Sequence, residues 1–219
     1  MTPGVPFPLR GPAGALEAEL HHPPGAPALR AVVAHPHPLY GGTMDNAVVV
    51  AAARAVVAAG GEALRFNFRG VGRSAGEHDA GRGERLDLGA AVAALDSREP
   101  RLPLLLAGYS FGAVMTLEHL ALAGEAASAA TPAGALLLAP PVTHYEGRSW
   151  RMGSLPMVVV YGERDDLTPP ALVEERARSW SDRLRFETLP GAGHDLGSFA
   201  NPRALQKALE SSLAFLTSN

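Results

Sequence analysis

From Ala31 to Leu216 the chain alternates short apolar runs with longer segments whose apolar residues recur at helical spacing. The runs Ala31–Ala34, Ala63–Phe68, Leu102–Ala107, Ala135–Ala139, Met157–Tyr161 and Leu184–Leu189 read as strands. Between and after them, Met44–Ala59, Leu86–Leu95, the segment from Ala113 to Gly124, Ala171–Trp180 and Pro202–Leu216 read as helices. The first of these opens near Asp45 or Asn46 as cap and stops at Gly60-Gly61. Strands joined through helices must run parallel, and a parallel sheet is covered on both faces, which explains runs that are continuously apolar. The expected fold is therefore α/β, a mainly parallel central sheet with helices on both faces. Leu16–Leu20 is read as an edge strand and Glu125–Ala133 as a small-residue linker. No repeat or composition break divides the 219 residues, so one domain over 1–219 is expected. Ligands of such sheets bind at the carboxyl ends of the strands.

One of those ends carries Gly108-Tyr109-Ser110-Phe111-Gly112, directly after Leu102–Ala107 and before a helical segment. A Gly-x-Ser-x-Gly motif between strand and helix makes a turn too sharp for side chains at its flanks, and the strained backbone lifts the serine hydroxyl above the sheet edge. Amides at the start of the following helix can stabilise negative charge there.

A serine hydroxyl needs a base, and the base an orienting acid. Of eight histidines, only His194 follows the strand Met157–Tyr161; it sits in the loop Pro190-Gly191-Ala192-Gly193-His194-Asp195, from which an imidazole can reach over the strand ends. The acid is expected in Gly162-Glu163-Arg164-Asp165-Asp166-Leu167-Thr168-Pro169, where three carboxylates compete. Asp165 is favoured, because the third position of a turn bounded by Gly162 and Pro169 can point inward; Asp166 and Glu163 are its rivals.

Acyl chemistry also needs two donors for an oxyanion. The Phe111 N–H follows the nucleophile directly. The second should come from His35-Pro36-His37-Pro38-Leu39-Tyr40, where the prolines have no N–H; His37 is favoured, with Leu39 and Tyr40 behind it. His35 and His37 could share a face as metal ligands, but no third ligand is evident and no metal site is expected. His21, His22 and His78 read as surface residues, His119 and His144 as structural ones. Gly70-x-Gly72-x-x-Ala75 follows a strand and loosely fits a dinucleotide fingerprint, yet Glu77-His78-Asp79 stands where a helix should start. A tight loop braced by Asn67 and Arg69 is the reading favoured there, and no cofactor is expected.

A net charge of −3 gives no basis for binding nucleic acid or an anionic membrane. With no cysteine there is no thiol nucleophile, disulfide or thiolate metal site. The proline-broken start lacks the apolar core of a signal peptide, and the apolar stretch Ala47–Ala59 is short for a membrane span and contains Arg54. A cytoplasmic location is expected, with no membrane partner; the sequence leaves the oligomeric state open.

Several of these pieces together resemble the small, lid-less bacterial α/β-hydrolases, a group akin to dienelactone hydrolase and to short carboxylesterases. They are His35-Pro36-His37-Pro38 with Gly41-Gly42-Thr43-Met44-Asp45-Asn46, Arg65–Ser74, Gly108–Gly112, Ala139-Pro140-Pro141, and the loops holding Asp165 and His194. The order Ser110, Asp165, His194 is also that of α/β-hydrolases. The resemblance implies a serine hydrolase with those residues as triad. Dienelactone hydrolase uses a cysteine nucleophile, which this chain lacks. Larger members insert a cap after the strand corresponding to Ala135–Ala139; here only Pro140 to Leu155 intervene, so an uncovered site is expected, with Tyr40, Tyr145 and Trp150 as lining, Tyr40 and Trp150 reading equally as loop anchors. The expected activity is cleavage of small carboxylic esters, the small-molecule partner, through an acyl-enzyme. Acyl transfer or thioester cleavage by the same triad, or a non-catalytic scaffold, are the alternatives.

Overall fold

The computed structural model describes residues 3–125, 132–145 and 149–218. One eight-stranded sheet runs in the order β1 (Val5–Pro6), β4 (Ala18–His21), β6 (Gly61–Phe66), β5 (Leu29–Ala34), β7 (Leu104–Tyr109), β8 (Gly134–Leu138), β9 (Met157–Gly162) and β10 (Leu184–Leu189). The strands from β6 to β10 are parallel, and β4 and β1 are added antiparallel at one side. A hairpin of β2 (Leu9–Gly11) and β3 (Gly14–Leu16) stands apart.

Two apolar layers sandwich the sheet. Val32, Leu64, Leu106, Leu137 and Val159 pack under α2 (Glu84–Asp96), α3 (Phe111–Glu125) and α4 (Pro170–Ala177). Their neighbours Val33, Ala63, Leu105, Leu136 and Val158 pack under α1 (Ala47–Ala58) and α5 (Pro202–Thr217) on the other face. Successive strand residues point to opposite faces, so burial on both leaves no polar position in β7, β8 or β9 other than Tyr109 and Tyr161. This is the expected α/β architecture.

At the amino ends of β5 and β6 the one buried charge in each strand start is paired. Arg30 donates to the Glu62 carboxylate at 2.9 Å and to the carbonyls of Arg98 (2.7 Å) and Pro100 (3.0 Å); His22 lies 2.9 Å from the same carboxylate. Removing one partner of such a pair typically costs about 3–5 kcal/mol, because the other stays buried and uncompensated.

The expected edge strand Leu16–Leu20 is divided in the structure, and it does not form the edge. Glu17 leaves the ladder between β3 and β4: its N–H donates to Ser74 Oγ, its carbonyl accepts from Asn67, and its carboxylate accepts from the Asn67 side chain and the Arg73 N–H. β1 then covers β4. Helix α1 starts at Ala47 with Asn46, one of the two expected caps, accepting from Val48 N–H at 3.0 Å; before it, Met44 N–H is taken by the Asn67 side chain and Asp45 pairs with Arg65. The expected linker lies, from 126 to 131, outside the described residues.

The Gly70–Gly76 loop is filled by the chain itself. A side chain at Gly72 would collide with the Glu17 carboxylate and Asn67, and one at Gly76 with Ala13. Helix α2 begins only at Glu84, with Arg69 clamped bidentate on Asp87 at 2.9 and 2.7 Å. These contacts match the bracing role and leave no helix start for a dinucleotide at this loop.

Candidate active site

Ser110 stands between β7 and α3 with φ +53°, the left-handed region that costs a non-glycine residue about 1–3 kcal/mol. Its neighbours enforce the bend. A Cβ on Gly108 would overlap the carbonyl of Gly112, and one on Gly112 would meet the carbonyls of Ala34 and His35 at 2.5 and 2.7 Å. The Ser110 N–H donates to Leu138 O at the end of β8, which fixes the turn to the sheet. Gly108→Ala is therefore expected to destabilise the fold by at least about 3 kcal/mol, read as a lower urea midpoint, since backbone rather than a flexible side chain occupies the space.

The loop after β10 brings His194 over this turn. Its Nε2 lies 2.9 Å from Ser110 Oγ and its Nδ1 2.9 Å from Asp165 Oδ2. A carboxylate can only accept, so Nδ1 carries the proton and Nε2 presents a lone pair to the serine hydroxyl. The loop is held from below. Tyr109 Oη donates to His194 O at 3.0 Å, Arg164 N–H to Ala192 O, and Gly191 N–H to the Glu163 carboxylate. Gly162 has no room for a side chain because Ala192 and Gly193 carbonyls press against it.

Asp165 is buried, and all its acceptor sites are used. Oδ1 accepts from the N–H groups of Leu167 and Thr168, and Oδ2 from Thr168 Oγ1 and His194. Burial alone would raise its pKa; the hydrogen bonds from His194 and Thr168 outweigh this and hold it below the ordinary carboxylate value. Its rivals are elsewhere: Glu163 caps Gly191, and Asp166 is exposed.

The loop after β5 lies against the start of α3. The N–H groups of Leu39 and Tyr40 are engaged, by His37 Nδ1 and His37 O respectively, while Pro36 and Pro38 have none. The backbone N–H groups of His37 and Phe111 donate to no group among the described residues. The two residues are neighbours in space, their rings 4.8 Å apart.

A sequence model described as an alpha/beta hydrolase domain matches residues 29–215. The chain belongs to the α/β-hydrolase family. It is similar to an α/β serine hydrolase homologue from Coxiella burnetii, 33% identical with a TM-score of 0.83 over 97% of this chain and 99% of that one. A serine hydrolase without lid from Xanthomonas campestris is 30% identical, with a TM-score of 0.81 over 100% and 98%. An uncharacterised protein of Rickettsia prowazekii is 32% identical over 195 residues, 85% of this chain and 79% of its own length.

In this α/β-hydrolase the expected lining residues separate. Tyr40 is 88% exposed and rests against the His37 ring at 4.9 Å. Tyr145 is half-buried against the core. Trp150 is not at an open surface: it is buried, edge-on to Trp180, with its indole N–H donating to the Glu118 carboxylate on α3. A buried acceptor on the helix draws the indole inward. His21 and His78 also depart from the surface reading. His21 is buried and accepts from Arg65 Nε, and His78 lies 2.7 Å from the buried Glu84 carboxylate.

Four supporting residues escaped the sequence reading: Tyr109, Thr168, Asp87 and Glu84. Of these only Thr168 had a local signal, an Asp followed three residues later by Thr, the pattern of an Asp side chain capping its own turn.

His35 and His37 do not form a metal pair. The Nδ1 of His35 lies 2.6 Å from Pro36 O and its Nε2 accepts from Phe68 N–H at 3.0 Å, so both nitrogens are spent. Among the described residues no three His, Cys, Asp or Glu are grouped to hold a metal ion, and no helix is long and apolar enough to cross a membrane. Burial lowers the His35 pKa from 6.5 to about 4. Below pH 6.5 the unfolded chain then takes up a proton that the native state refuses. Stability is full above that pH and falls until about pH 4, by about 3 kcal/mol for this one group. Urea titrations between pH 7.5 and 4 should show this decline, and His35→Gln should flatten it; equal slopes would refute the assignment.

Proposed function

We propose that this protein is a serine hydrolase that cleaves small carboxylic esters through an acyl-enzyme. The observation that carries the reading is the unbroken line from Ser110 Oγ to His194 to Asp165, with both links 2.9 Å. Ser110 Oγ attacks the ester carbonyl carbon while His194 Nε2 takes its proton. The carbonyl oxygen becomes an oxyanion, received by the N–H groups of Phe111 and His37. Collapse expels the alcohol, which collects the proton from His194, and leaves Ser110 acylated. Water repeats the sequence and releases the acid. Asp165 holds the imidazole in the working tautomer and offsets its charge.

Residues 139–156 are the whole connection between β8 and β9, so an uncovered site with access for small and varied esters fits this chain. The description of the Xanthomonas relative as a serine hydrolase without lid supports the same reading. A scaffold would require none of the three residues to meet; transfer to another alcohol, or thioester cleavage, would use the same steps.

The test is labelling with a fluorophosphonate probe, read by intact mass and peptide mapping. One adduct is expected, on Ser110, absent from Ser110→Ala and His194→Ala. Folded wild-type protein that takes no label would sink the proposal.

A further inference from the structure

The N–H of His37 belongs to the same planar peptide unit as the Pro36 carbonyl. The only cis bond in the described chain is Glu99–Pro100, so this unit is trans, and its carbonyl and N–H point in opposite directions. Whatever fixes the Pro36 carbonyl therefore aims the His37 N–H. That carbonyl can only accept, and the group that meets it, at 2.6 Å, is His35 Nδ1. The other ring nitrogen accepts from the Phe68 N–H at 3.0 Å. Both bonds hold only for the neutral ring protonated on Nδ1, and burial keeps the ring neutral down to about pH 4. His35 is fully buried, edge-on to the Phe68 ring at 4.7 Å, which in turn contacts Phe111 at 5.8 Å.

The rest of the clamp comes from the following turn. His37 O accepts from the N–H groups of Tyr40 and Gly42, both at 3.1 Å, and Gly42 lies against Pro36 O so closely that no side chain fits. The His37 N–H is thus framed by two fixed carbonyls and, among the described residues, left without an acceptor of its own.

We propose that His35 is a positioning residue that sets the plane of the Pro36–His37 peptide, so that the His37 N–H is preorganised for the oxyanion. This rests on the serine hydrolase reading and adds a residue to it that touches neither substrate nor the triad. Preorganisation counts because a donor already aimed costs no reorganisation as charge develops. A side chain that merely filled the space would preserve packing and lose the aim.

The test compares wild type with His35→Phe, which keeps a ring, and His35→Gln, which can both donate and accept. On a p-nitrophenyl ester, His35→Phe is expected to lose about 10²-fold in kcat with KM changed by less than about threefold, and His35→Gln to recover part of the loss. Affinity for a boronic acid that forms a tetrahedral adduct on Ser110 should fall by the factor seen in kcat, while the carboxylic acid product binds as before. A folded His35→Phe with wild-type kcat, or with loss confined to KM, overturns the proposal. If His35→Phe does not fold, ¹⁵N spectra of wild-type imidazoles decide: an Nε2-protonated His35, or one titrating at its ordinary pKa, overturns it as well. Wild-type hydrolysis that survives Ser110→Ala would instead overturn the parent reading, and this one with it.

Discussion

Ser110→Ala is expected to reduce ester turnover by about 10⁶-fold while leaving the protein folded. The alanine loses the attacking oxygen and the 2.9 Å link to His194. The turn itself should survive, since alanine bears φ +53° no worse than serine and the Ser110 N–H bond to Leu138 O is a backbone bond. Any activity that remains should come from substrate binding and the proposed oxyanion donors. The effect should also be non-additive: Ser110→Ala combined with His194→Ala should be no slower than either alone, because each single change already disables the unit. Initial rates with p-nitrophenyl acetate, alongside circular dichroism, measure both points. Residual turnover within tenfold of wild type would mean another group attacks the ester.

Asp165→Asn should lose about 10⁴-fold in kcat with much smaller change in KM. Oδ2 of Asp165 accepts from both Thr168 Oγ1 and His194 Nδ1, and Oδ1 accepts two backbone N–H groups. The two backbone donors hold the amide oxygen of asparagine at the Oδ1 position, so its NH₂ must face His194. The imidazole then accepts on Nδ1 and carries its proton on Nε2, toward Ser110. In that tautomer it cannot take the serine proton. Thr168→Val tests the same support more gently, but Asp165→Asn isolates the tautomer. A variant with kcat within tenfold of wild type would show that His194 does not depend on this carboxylate.

The sheet and the serine turn were legible because their causes are local. Continuous apolar runs arise from burial on both faces, and Gly108 and Gly112 stand where backbone leaves no space. The meeting of Asp165, not Asp166 or Glu163, with His194 was readable only as a preference, since adjacent loop acids differ by rotation of the turn. Elements β1, β2 and β3 are too short for any periodicity to register. For Trp150 the sequence does not separate lining from anchor, because its partners, Glu118 and Trp180, lie far along the chain, and a loop tryptophan carries no mark of where its indole N–H will be met. Tyr109 is the same case in reverse: the variable position of Gly-x-Ser-x-Gly gives no hint that its hydroxyl supports the carbonyl of His194.

Strain and its counterweight occupy opposite ends of the sheet. Among the described residues, the four non-glycine residues with left-handed backbone, Ala80, Ser110, Ala139 and Leu196, lie in loops that follow the carboxyl ends of strands, whereas the Arg30–Glu62 cluster closes the amino ends. Backbone strain and buried charge pairing are thereby separated along the strands. For protein engineering this makes the amino-end surface the place to harden the scaffold against heat, and the strand-end loops the place to vary what it accepts.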